Sequence, residues 1–368
     1  MAKVILPFGS PADADGNAMD DSIYTYEGWR AYVNRKAATQ PARLSREEYG
    51  ALSSADQLAH DEARKNYIMQ FGPLNTPMLD MAKKCIKEQT DANMRAPRDQ
   101  VKPGVVIDGD ANLGKTTMAK AIARQFELDI RSRATFPDKD SEHQFIPVVH
   151  VTLLRDTTPK DMAQAICEYL HAPTRGRPTE STLVKAIYAA IERHTILMFV
   201  IDDIHFLRVH SQSGQETSKF LKSLMSLTGA TFVYIGVDVE KMGIFKEQDE
   251  SSLASSQTAS RFIHLPIPPF KKGTDTWVKL LESVEKHLPL LDHEPGTLKR
   301  CAALLYNRTN GSVGPLMNLL RTLAVKAVGK GEKIDAASLR SALTDYRSTM
   351  EGSLDDVPPP DETPGETP

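Results

Sequence analysis

Eight consecutive residues have the composition and spacing of a phosphate-binding loop. The pattern Gly-x-x-x-x-Gly-Lys-Thr is filled by Gly109, Asp110, Ala111, Asn112, Leu113, Gly114, Lys115 and Thr116, and Thr117 follows directly. Glycine lets backbone N–H groups close around phosphate oxygens, and a helix that begins at the loop adds its positive dipole end. Lys115 would bring a point charge to the β- and γ-phosphates, and the Thr116 hydroxyl would coordinate Mg²⁺. The pattern therefore predicts an ATP site.

A second motif, a pair of adjacent acidic residues, follows an apolar run further along the chain. Residues Thr195–Ile201 are apolar enough for a buried strand, and Asp202 and Asp203 come directly after them. This is a Walker B arrangement, in which Asp202 would hold Mg²⁺. Asp203 stands where many such ATPases have a Glu that orients the attacking water. Because Asp is one methylene shorter, its carboxylate would lie about 1 Å further away, which can cost roughly 10²-fold in rate. Slow ATP hydrolysis is therefore predicted. The alternative is an ordinary strand followed by an Asp-Asp turn.

Strand and helix patterns alternate around these two motifs. Strands are predicted at Gly104–Ile107, Phe145–Leu153, Thr195–Ile201, Thr231–Ile235 and Ile263–Leu265. Helices are predicted at Lys115–Phe126, Pro159–Leu170, Ser181–Arg193 and Gln215–Ser226. Apolar strands that alternate with helices imply an α/β fold with a parallel five-stranded sheet covered by helices on both faces. Such a sheet would bring the phosphate loop and the Asp-Asp pair to one edge.

The flanking segments predict three further regions. Residues 1–75 form an N-terminal arm, irregular to about residue 40 and then helical, with a Ser45/Glu48 capping box and a helix over Ser54–Gln70. The nucleotide-binding domain spans 76–270 and starts with a helix from Met78 to about Glu88. An all-helical lid spans 271–350, with helices at Asp275–His287, Pro295–Asn307, Val313–Val328 and Ala336–Arg347, the last capped by Asp335. Residues 351–368 are acidic and Pro-rich and are expected to be disordered.

Bulk composition excludes several classes of protein. The chain has 368 residues, of which 40% are hydrophobic and 25% are charged, as in globular proteins. No run of 18 apolar residues is present, and the N-terminus has no signal-peptide pattern, so a cytoplasmic protein without a membrane span is expected. The three cysteines lie far apart and match no metal spacing, which favours a reducing compartment. Without the six acids of residues 351–368 the formal charge changes from −3 to +3, which permits a nucleic-acid partner.

Taken together, these motifs resemble the TniB/TnsC-type transposition ATPases, an initiator-like branch of the AAA+ superfamily. The resemblance extends from roughly Leu44 to Ala342. It rests on Phe71–Pro77, the phosphate loop, Ile201–His205, Tyr234–Val237, the passage from Ser260-Arg261-Phe262 to Leu265-Pro266, and the turn at Gly311. It implies a P-loop AAA+ module followed by a small all-helical lid. It also implies a regulator that binds ATP, assembles as a homo-oligomeric ring or filament on duplex DNA, and recruits a separate DDE-type transposase.

The resemblance assigns roles to individual residues and also shows departures. Arg261 would be an arginine finger that reaches the ATP of a neighbouring subunit, an effect worth roughly 10³- to 10⁵-fold in turnover; the alternative is a surface Arg paired with a local acid. Asp238 is the nearest candidate for the water-placing sensor after the fourth strand, unless it caps the following helix. Gly314 stands where the lid normally carries a sensor Arg. Arg321 is a possible substitute, the alternative being a solvated helix charge.

Candidate DNA contacts come from basic residues near the second strand. Arg131, Arg133 and Lys139 are the first candidates, and the second choices are Arg175, Arg177, Lys219 and Lys222. An oligomer that wraps DNA needs only a few cations per subunit, because phosphate contacts add up along the assembly. No aromatic residues are interleaved with these cations, so duplex backbone is favoured over a single-strand stacking platform. The alternative for any one of them is a solvated basic loop.

Three other functions share these motifs. A helicase loader or replication initiator would carry nearly all of them. A non-hydrolysing signalling switch would be consistent with Asp203 and the missing lid Arg, although such switches usually have a long repeat domain. The run Asp202-Asp203-Ile204-His205 is similar to a helicase box, but the helical region after Phe270 is too short for a second RecA-like domain.

Overall fold

A computed structural model describes residues 23–97, 100, 102–173, 176–207, 220–221, 223–225, 228–239, 241 and 261–342. The described chain divides into two compact units. The first comprises the residues up to Lys36 together with Pro77–Ile267, and the second comprises Ala37–Thr76 together with the residues from Pro268 onward. The predicted N-terminal arm of residues 1–75 is thus shared between both units.

The strands follow one another in the order that the sequence patterns predict, and two of the helices were not predicted. The strands are β1 (Gly104–Asp108), β2 (Val148–Thr152), β3 (Met198–Asp202), β4 (Thr231–Gly236) and β5 (Phe262–Pro266). The helices are α1 (Tyr26–Asn34), α2 (Arg46–Gly50), α3 (Ser54–Gln70), α4 (Pro77–Arg95), α5 (Lys115–Arg133), α6 (Lys139–Gln144), α7 (Pro159–Tyr169), α8 (Glu180–His194), α9 (Asp275–Lys286), α10 (Thr297–Arg300), α11 (Ala302–Thr309), α12 (Val313–Ala327) and α13 (Ala336–Ser341). Within the described residues, no helix is both long and apolar enough to cross a bilayer.

The five strands form one parallel sheet in the order β2-β3-β4-β1-β5. Strands β1, β3 and β4 are buried along their whole length, which explains their continuous apolar runs. Helix α4 packs on β1 and β4, α5 on β3 and β4, and α7 on β2. The predicted α/β class, a parallel five-stranded sheet covered by helices, is confirmed. Because parallel strands end at one edge, the ends of β1, β3 and β4 lie side by side.

Helix α5 starts at the phosphate loop and runs further than predicted. Gly114 occupies its N-cap position in the left-handed region and offers no side chain to the first-turn N–H groups. At the other end, the helix continues past Phe126 to Arg133, because Glu127 is buried and forms an ion pair with Arg131 one turn later. The segment predicted to be a loop after Phe126 is therefore helical.

Helix α1 lies where an irregular arm was expected. Its Trp29 and Val33 are fully buried in the core of the first unit. The Trp29 indole N–H donates to Glu127 (2.7 Å), and the indole stacks on the His150 ring with centroids 5.4 Å apart. The helix has only nine residues and contains Gly28, so the sequence of this segment alone indicates a helix only weakly. Tertiary contacts rather than helix propensity hold it in place.

Other boundaries differ by smaller amounts. Strand β2 begins at Val148 rather than Phe145, and residues 145–147 connect it to α6 without regular structure. Helix α4 continues to Arg95, beyond the predicted end at Glu88. The helix predicted over Pro295–Asn307 is divided into α10 and α11, which meet at Cys301. Most of the predicted helix Gln215–Ser226, the end of Ala336–Arg347 and the tail 351–368 lie outside the described residues.

The regular secondary structure in the described part of the second unit is all helical. The predicted capping box of α2 (Ser45 with Glu48) and the predicted Asp335 cap of α13 are present, and α3 has the predicted bounds. Its centre holds a buried ion pair between Arg64 on α3 and Glu332, with N–O distances of 2.7 and 2.9 Å. The two Glu332 oxygens also accept from the backbone N–H groups of Gly329 and Leu291. This pair joins the chain before Thr76 to the chain after Pro268.

Candidate nucleotide site

The phosphate loop needs glycine at its first position for two reasons. Gly109 has φ +154°, and a β-carbon added there would overlap the carbonyl oxygen of Ile267. Asn112 and Gly114 also have positive φ, at 64° and 83°. Asn tolerates this region better than most residues. The loop thus turns sharply between β1 and α5.

The Lys115 side chain lies inside the loop. Its Nζ donates to the carbonyl oxygens of Gly109 (2.7 Å) and Asp110 (2.6 Å). Burial lowers the pKa of Lys115, and the nearby Asp108 and Asp202 carboxylates act in the opposite direction. The ammonium is therefore a buried positive charge enclosed by backbone carbonyls, at the position where the sequence predicts phosphates.

The two predicted cation ligands meet at the edge of the sheet. The Thr116 hydroxyl lies 3.2 Å from Oδ1 of Asp202, and the same oxygen accepts from the backbone N–H of Asp203 at 2.9 Å. Asp202 is 2% exposed. Burial and the neighbouring Asp203 raise its pKa, and the Thr116 hydrogen bond partly offsets this. A buried carboxylate and a hydroxyl, with a second acid beside them, suit Mg²⁺, which takes oxygen ligands.

Asp203 has an unusual backbone conformation. It lies in the left-handed region (φ 56°, ψ 40°) and precedes a single 3₁₀ turn over Ile204–Phe206. Its carboxylate is partly exposed, and Oδ1 lies 3.9 Å from Nδ1 of His205. Asp and Asn occupy this region at lower cost than other non-glycine residues. The backbone thus gives a local reason for Asp in place of Glu.

Sequence reasoning missed two polar residues at this edge. Lys120 is on α5 one turn after Thr116, and its pKa is lowered by burial while Asp202 and Asp203 act to raise it. The i, i+4 spacing from Thr116 is the sequence signal that could have revealed it. The other residue is Asp108, the last residue of β1, whose buried side chain contacts the first residue of the phosphate loop.

Two predicted nucleotide-sensing residues have defined places in the first unit. Arg261 directly precedes the edge strand β5 and is half-buried, and its carbonyl oxygen accepts from the N–H of Gly104 at 2.9 Å. The Asp238 carboxylate is exposed and pairs with Lys241 at 2.7 Å. This pairing within a turn favours the local structural role for Asp238.

The candidate DNA contacts differ in how available their charges are. Arg131 is largely buried, and it bonds to Glu127 and to the carbonyl oxygen of Phe145 (2.6 Å). Because the charge of Arg131 is paired inside the domain, this residue is not available as a DNA contact. Arg133 at the end of α5 and Lys139 at the start of α6 are exposed, as is Arg177. The other second choices, Arg175, Lys219 and Lys222, lie outside the described residues.

The two candidate sensor residues of the lid, Gly314 and Arg321, belong to the second unit. Gly314 lies in the first turn of α12 and carries no side chain for sensing. Arg321 stacks on the Phe71 ring, with its guanidinium carbon 5.0 Å from the centroid, and donates to the carbonyl oxygen of Phe71. Burial lowers the pKa of Arg321. Arg321 is therefore a packing residue and not the solvated helix charge that the sequence suggested.

Comparison with known families finds a match over the region that carries this site. Residues 98–240 match the family model described as AAA domain. No curated protein matches the sequence.

Solved structures give the same fold. The Orc1 protein of Aeropyrum pernix in complex with DNA is 17% identical, with a TM-score of 0.52, covering 78% of this chain and 69% of that chain. Cdc6p of Pyrobaculum aerophilum is 14% identical, with a TM-score of 0.55, covering 78% and 71%. The ADP form of the A. pernix Orc2 protein is 14% identical, with a TM-score of 0.53, covering 80% and 74%. At these identities the likeness shows a shared fold and does not extend to partners or activity.

Proposed function

We propose that this AAA domain protein binds ATP with Mg²⁺, hydrolyses it slowly, and assembles on duplex DNA as initiator and helicase-loader ATPases do. One observation carries the ATPase part: the Thr116 hydroxyl at the end of the phosphate loop lies 3.2 Å from the Asp202 carboxylate at the end of β3. Two residues far apart in sequence thus converge where a cation and a triphosphate need them. The fold shared with archaeal Orc1, Orc2 and Cdc6p supports the initiator-like type.

Each site residue has a distinct task in this proposal. Lys115 would exchange its bonds to the Gly109 and Asp110 carbonyls for phosphate oxygens, which are stronger acceptors for a buried ammonium. Thr116 and Asp202 would hold Mg²⁺, which neutralises charge on the phosphates when bound. Asp203 would orient the attacking water, and its short side chain would make turnover slow.

Arg261 would supply the remaining cation from a neighbouring copy. It precedes β5, the edge strand of the sheet, and within the described part of the chain no hydrogen bond or ion pair of its guanidinium is found. An arginine at a sheet edge can reach a second copy more readily than one in the middle of the domain. ATP hydrolysis that depends on protein concentration would follow from this arrangement.

Arg133 and Lys139 would contact the DNA backbone. Both are exposed and are separated by the short turn between α5 and α6. Phosphate contacts of this kind give affinity without base specificity, and they weaken as salt concentration rises. The proposal therefore includes salt-sensitive, sequence-tolerant binding to duplex DNA.

The test combines ATP, DNA and assembly in one set of purified proteins. Wild type, Lys115→Ala, Arg261→Ala and the Arg133→Ala/Lys139→Ala double variant are compared by ATP binding, phosphate release, sedimentation and negative-stain microscopy with duplex DNA. The exposed pair Lys83→Ala/Lys84→Ala on α4 is the charge-matched control. We expect Lys115→Ala to lose ATP binding, Arg261→Ala to bind ATP but lose turnover, and the double variant to lose DNA binding.

The outcomes separate the parts of the proposal. Absence of ATP binding by wild type would overturn all of it. ATP hydrolysis by dispersed monomers, unaffected by Arg261→Ala, would remove the trans-acting arginine. Equal DNA affinity of the double variant and its Lys83/Lys84 control would remove the assigned DNA contacts.

A sequence observation favours a second candidate, the transposition regulator. The run Ile201–His205, the segment Phe71–Pro77 and the Ser260-Arg261-Phe262 passage resemble the TniB/TnsC type. Such a regulator would use the same ATP and DNA chemistry but recruit a DDE-type transposase. The protein partner distinguishes the regulator from the loader. ATP-dependent capture on target DNA of a transposase encoded by a neighbouring gene supports the regulator. Capture of a replicative helicase supports the loader.

A further inference from the structure

The Asp108 carboxylate is enclosed by groups from three different segments. Its Oδ1 accepts from the backbone N–H of Gly109 (2.8 Å) and of Val239 (3.1 Å). Its Oδ2 lies 3.2 Å from Nε2 of His264. A carboxylate can only accept, so Nε2 carries the proton in this contact. The Asp108 carbonyl oxygen also accepts from the N–H of Ile267 at 2.7 Å.

These contacts connect three neighbouring strands with the phosphate loop. Strand β1 lies between β4 and β5 in the sheet. Gly109 opens the phosphate loop, Val239 follows β4, and His264 is on β5. One buried side chain therefore fixes the start of the loop against both strands that flank β1. Among the nearby acids, Asp108 acts most strongly to raise the pKa of Lys115, against the lowering effect of burial.

The chemistry explains why a carboxylate is suited to this place. Hydrogen bonds to an ionised acceptor are shorter and stronger than neutral ones. Removing the acceptor would leave two N–H groups in the interior without this partner, which costs more than the bonds themselves contribute. An Asn keeps an oxygen that can accept from both N–H groups, and it loses only the charge and the bond from His264.

We propose that Asp108 is a positioning residue that holds the phosphate loop in its nucleotide-binding conformation, with His264 orienting the carboxylate. The inference rests on the proposed ATP site and adds a residue to it. Asp108 acts through Gly109 and the loop, and not by contact with the phosphates. Loss of the carboxylate raises the Kd for ATP, and the KM follows it, while turnover at saturating ATP changes little.

The test compares Asp108→Ala, Asp108→Asn and His264→Ala by titration with a fluorescent ATP analogue in the presence of Mg²⁺. We expect the Kd to rise about tenfold or more for Asp108→Ala, because two buried donors lose their acceptor. We expect a rise of about threefold or less for Asp108→Asn and for His264→Ala. Steady-state phosphate release should show the same order in KM, with kcat within about twofold of wild type.

A second measurement separates positioning from general damage. Hydrogen–deuterium exchange of the peptide containing Gly109–Gly114 should be faster in His264→Ala, whose side chain is partly exposed, while the melting temperature stays near that of wild type. If Asp108→Ala does not fold, this measurement and Asp108→Asn still decide the matter. A wild-type Kd in Asp108→Ala, or unchanged loop exchange in His264→Ala, would overturn the inference. Absence of ATP binding by wild type would instead contradict the proposed function and therefore also this inference.

Discussion

Oδ1 of Asp202 accepts from the Thr116 hydroxyl at 3.2 Å, and this contact joins the phosphate loop to the acidic end of β3. The carboxylate that makes it is almost fully buried and has Asp203 as its neighbour in sequence. Two acids in a low-dielectric site repel each other until a cation arrives. A bound cation, such as the proposed Mg²⁺, would relieve this repulsion and stabilise the site.

Asp202→Asn should stabilise the protein while removing its activity. Burial and Asp203 raise the pKa of Asp202 in the folded state, so its ionised form destabilises the fold at neutral pH. Asn can still accept from Thr116 and from the Asp203 N–H. We expect a higher melting temperature than wild type without Mg²⁺, no further rise when Mg²⁺ is added, and no phosphate release. A lower melting temperature in Mg²⁺-free buffer would contradict this account.

Substitutions at Asp203 should separate backbone strain from catalysis. Asp203→Asn keeps a residue suited to φ 56° and should preserve the melting temperature but abolish hydrolysis. Asp203→Glu should cost about 1–2 kcal/mol because Glu lacks this tolerance. It should nevertheless raise turnover, by up to about tenfold, since the longer side chain reaches further. Thermal melts and phosphate release measure both effects. Hydrolysis by Asp203→Asn at the wild-type rate would show that Asp203 does not act on the water.

Two glycines of the phosphate loop should differ in their tolerance of alanine. A β-carbon at Gly109 would overlap the Ile267 carbonyl oxygen, whereas one at Gly114 would meet no atom within 4 Å. Both have positive φ, which costs about 1–2 kcal/mol for alanine. Gly109→Ala should therefore lower the melting temperature without nucleotide clearly more than Gly114→Ala. Equal decreases in melting temperature for the two variants would mean that the loop backbone moves to make room for the extra carbon at Gly109.

The buried pair in the second unit should matter more than an exposed pair nearby. Arg64→Ala leaves Glu332 charged and buried, which should cost about 3–5 kcal/mol. Arg46→Ala, which removes an exposed pair with Asp292, is the control and should change stability little. Trp277 is the only tryptophan of this unit, so its fluorescence in a Trp29→Phe background reports urea unfolding there. A similar urea midpoint for both Arg variants would be the contrary result.

His150 should make the first unit less stable in mild acid. Burial lowers its pKa to about 3, and the charge of Lys120 acts in the same direction. His150 therefore takes up a proton near pH 6.5 in the unfolded chain but stays neutral in the folded chain. The free energy of unfolding is therefore highest above pH 6.5 and falls as the pH decreases below it. Between pH 7 and pH 5.5 wild type should lose about 1.2 kcal/mol more than His150→Phe. Urea unfolding of a Trp277→Phe background, followed by Trp29 fluorescence, measures this difference. Parallel pH curves for the two proteins would contradict it.

The sequence by itself determined the features that depend on local patterns. The Gly-x-x-x-x-Gly-Lys-Thr spacing requires a tight turn before a helix, and the continuous apolar runs of β1, β3 and β4 require strands buried on both faces. The bounds of α3 and the caps at Ser45 and Asp335 were also predictable, because capping is a contact between residues three apart. The α/β fold class with a parallel sheet followed from these patterns together, and the AAA+ module followed from the family resemblance.

Only the tertiary structure decided the features that depend on distant partners. Helix α1 forms because Trp29 finds Glu127 and His150, which lie about a hundred residues later in the chain. Arg131 and Arg321 look like free cations in the sequence, yet folding gives them Glu127 and Phe71 as partners. Asp108 has its role because β1 lies between β4 and β5. Side-chain charge and size are set by sequence, but which groups face each other is set by the packing of the sheet and helices.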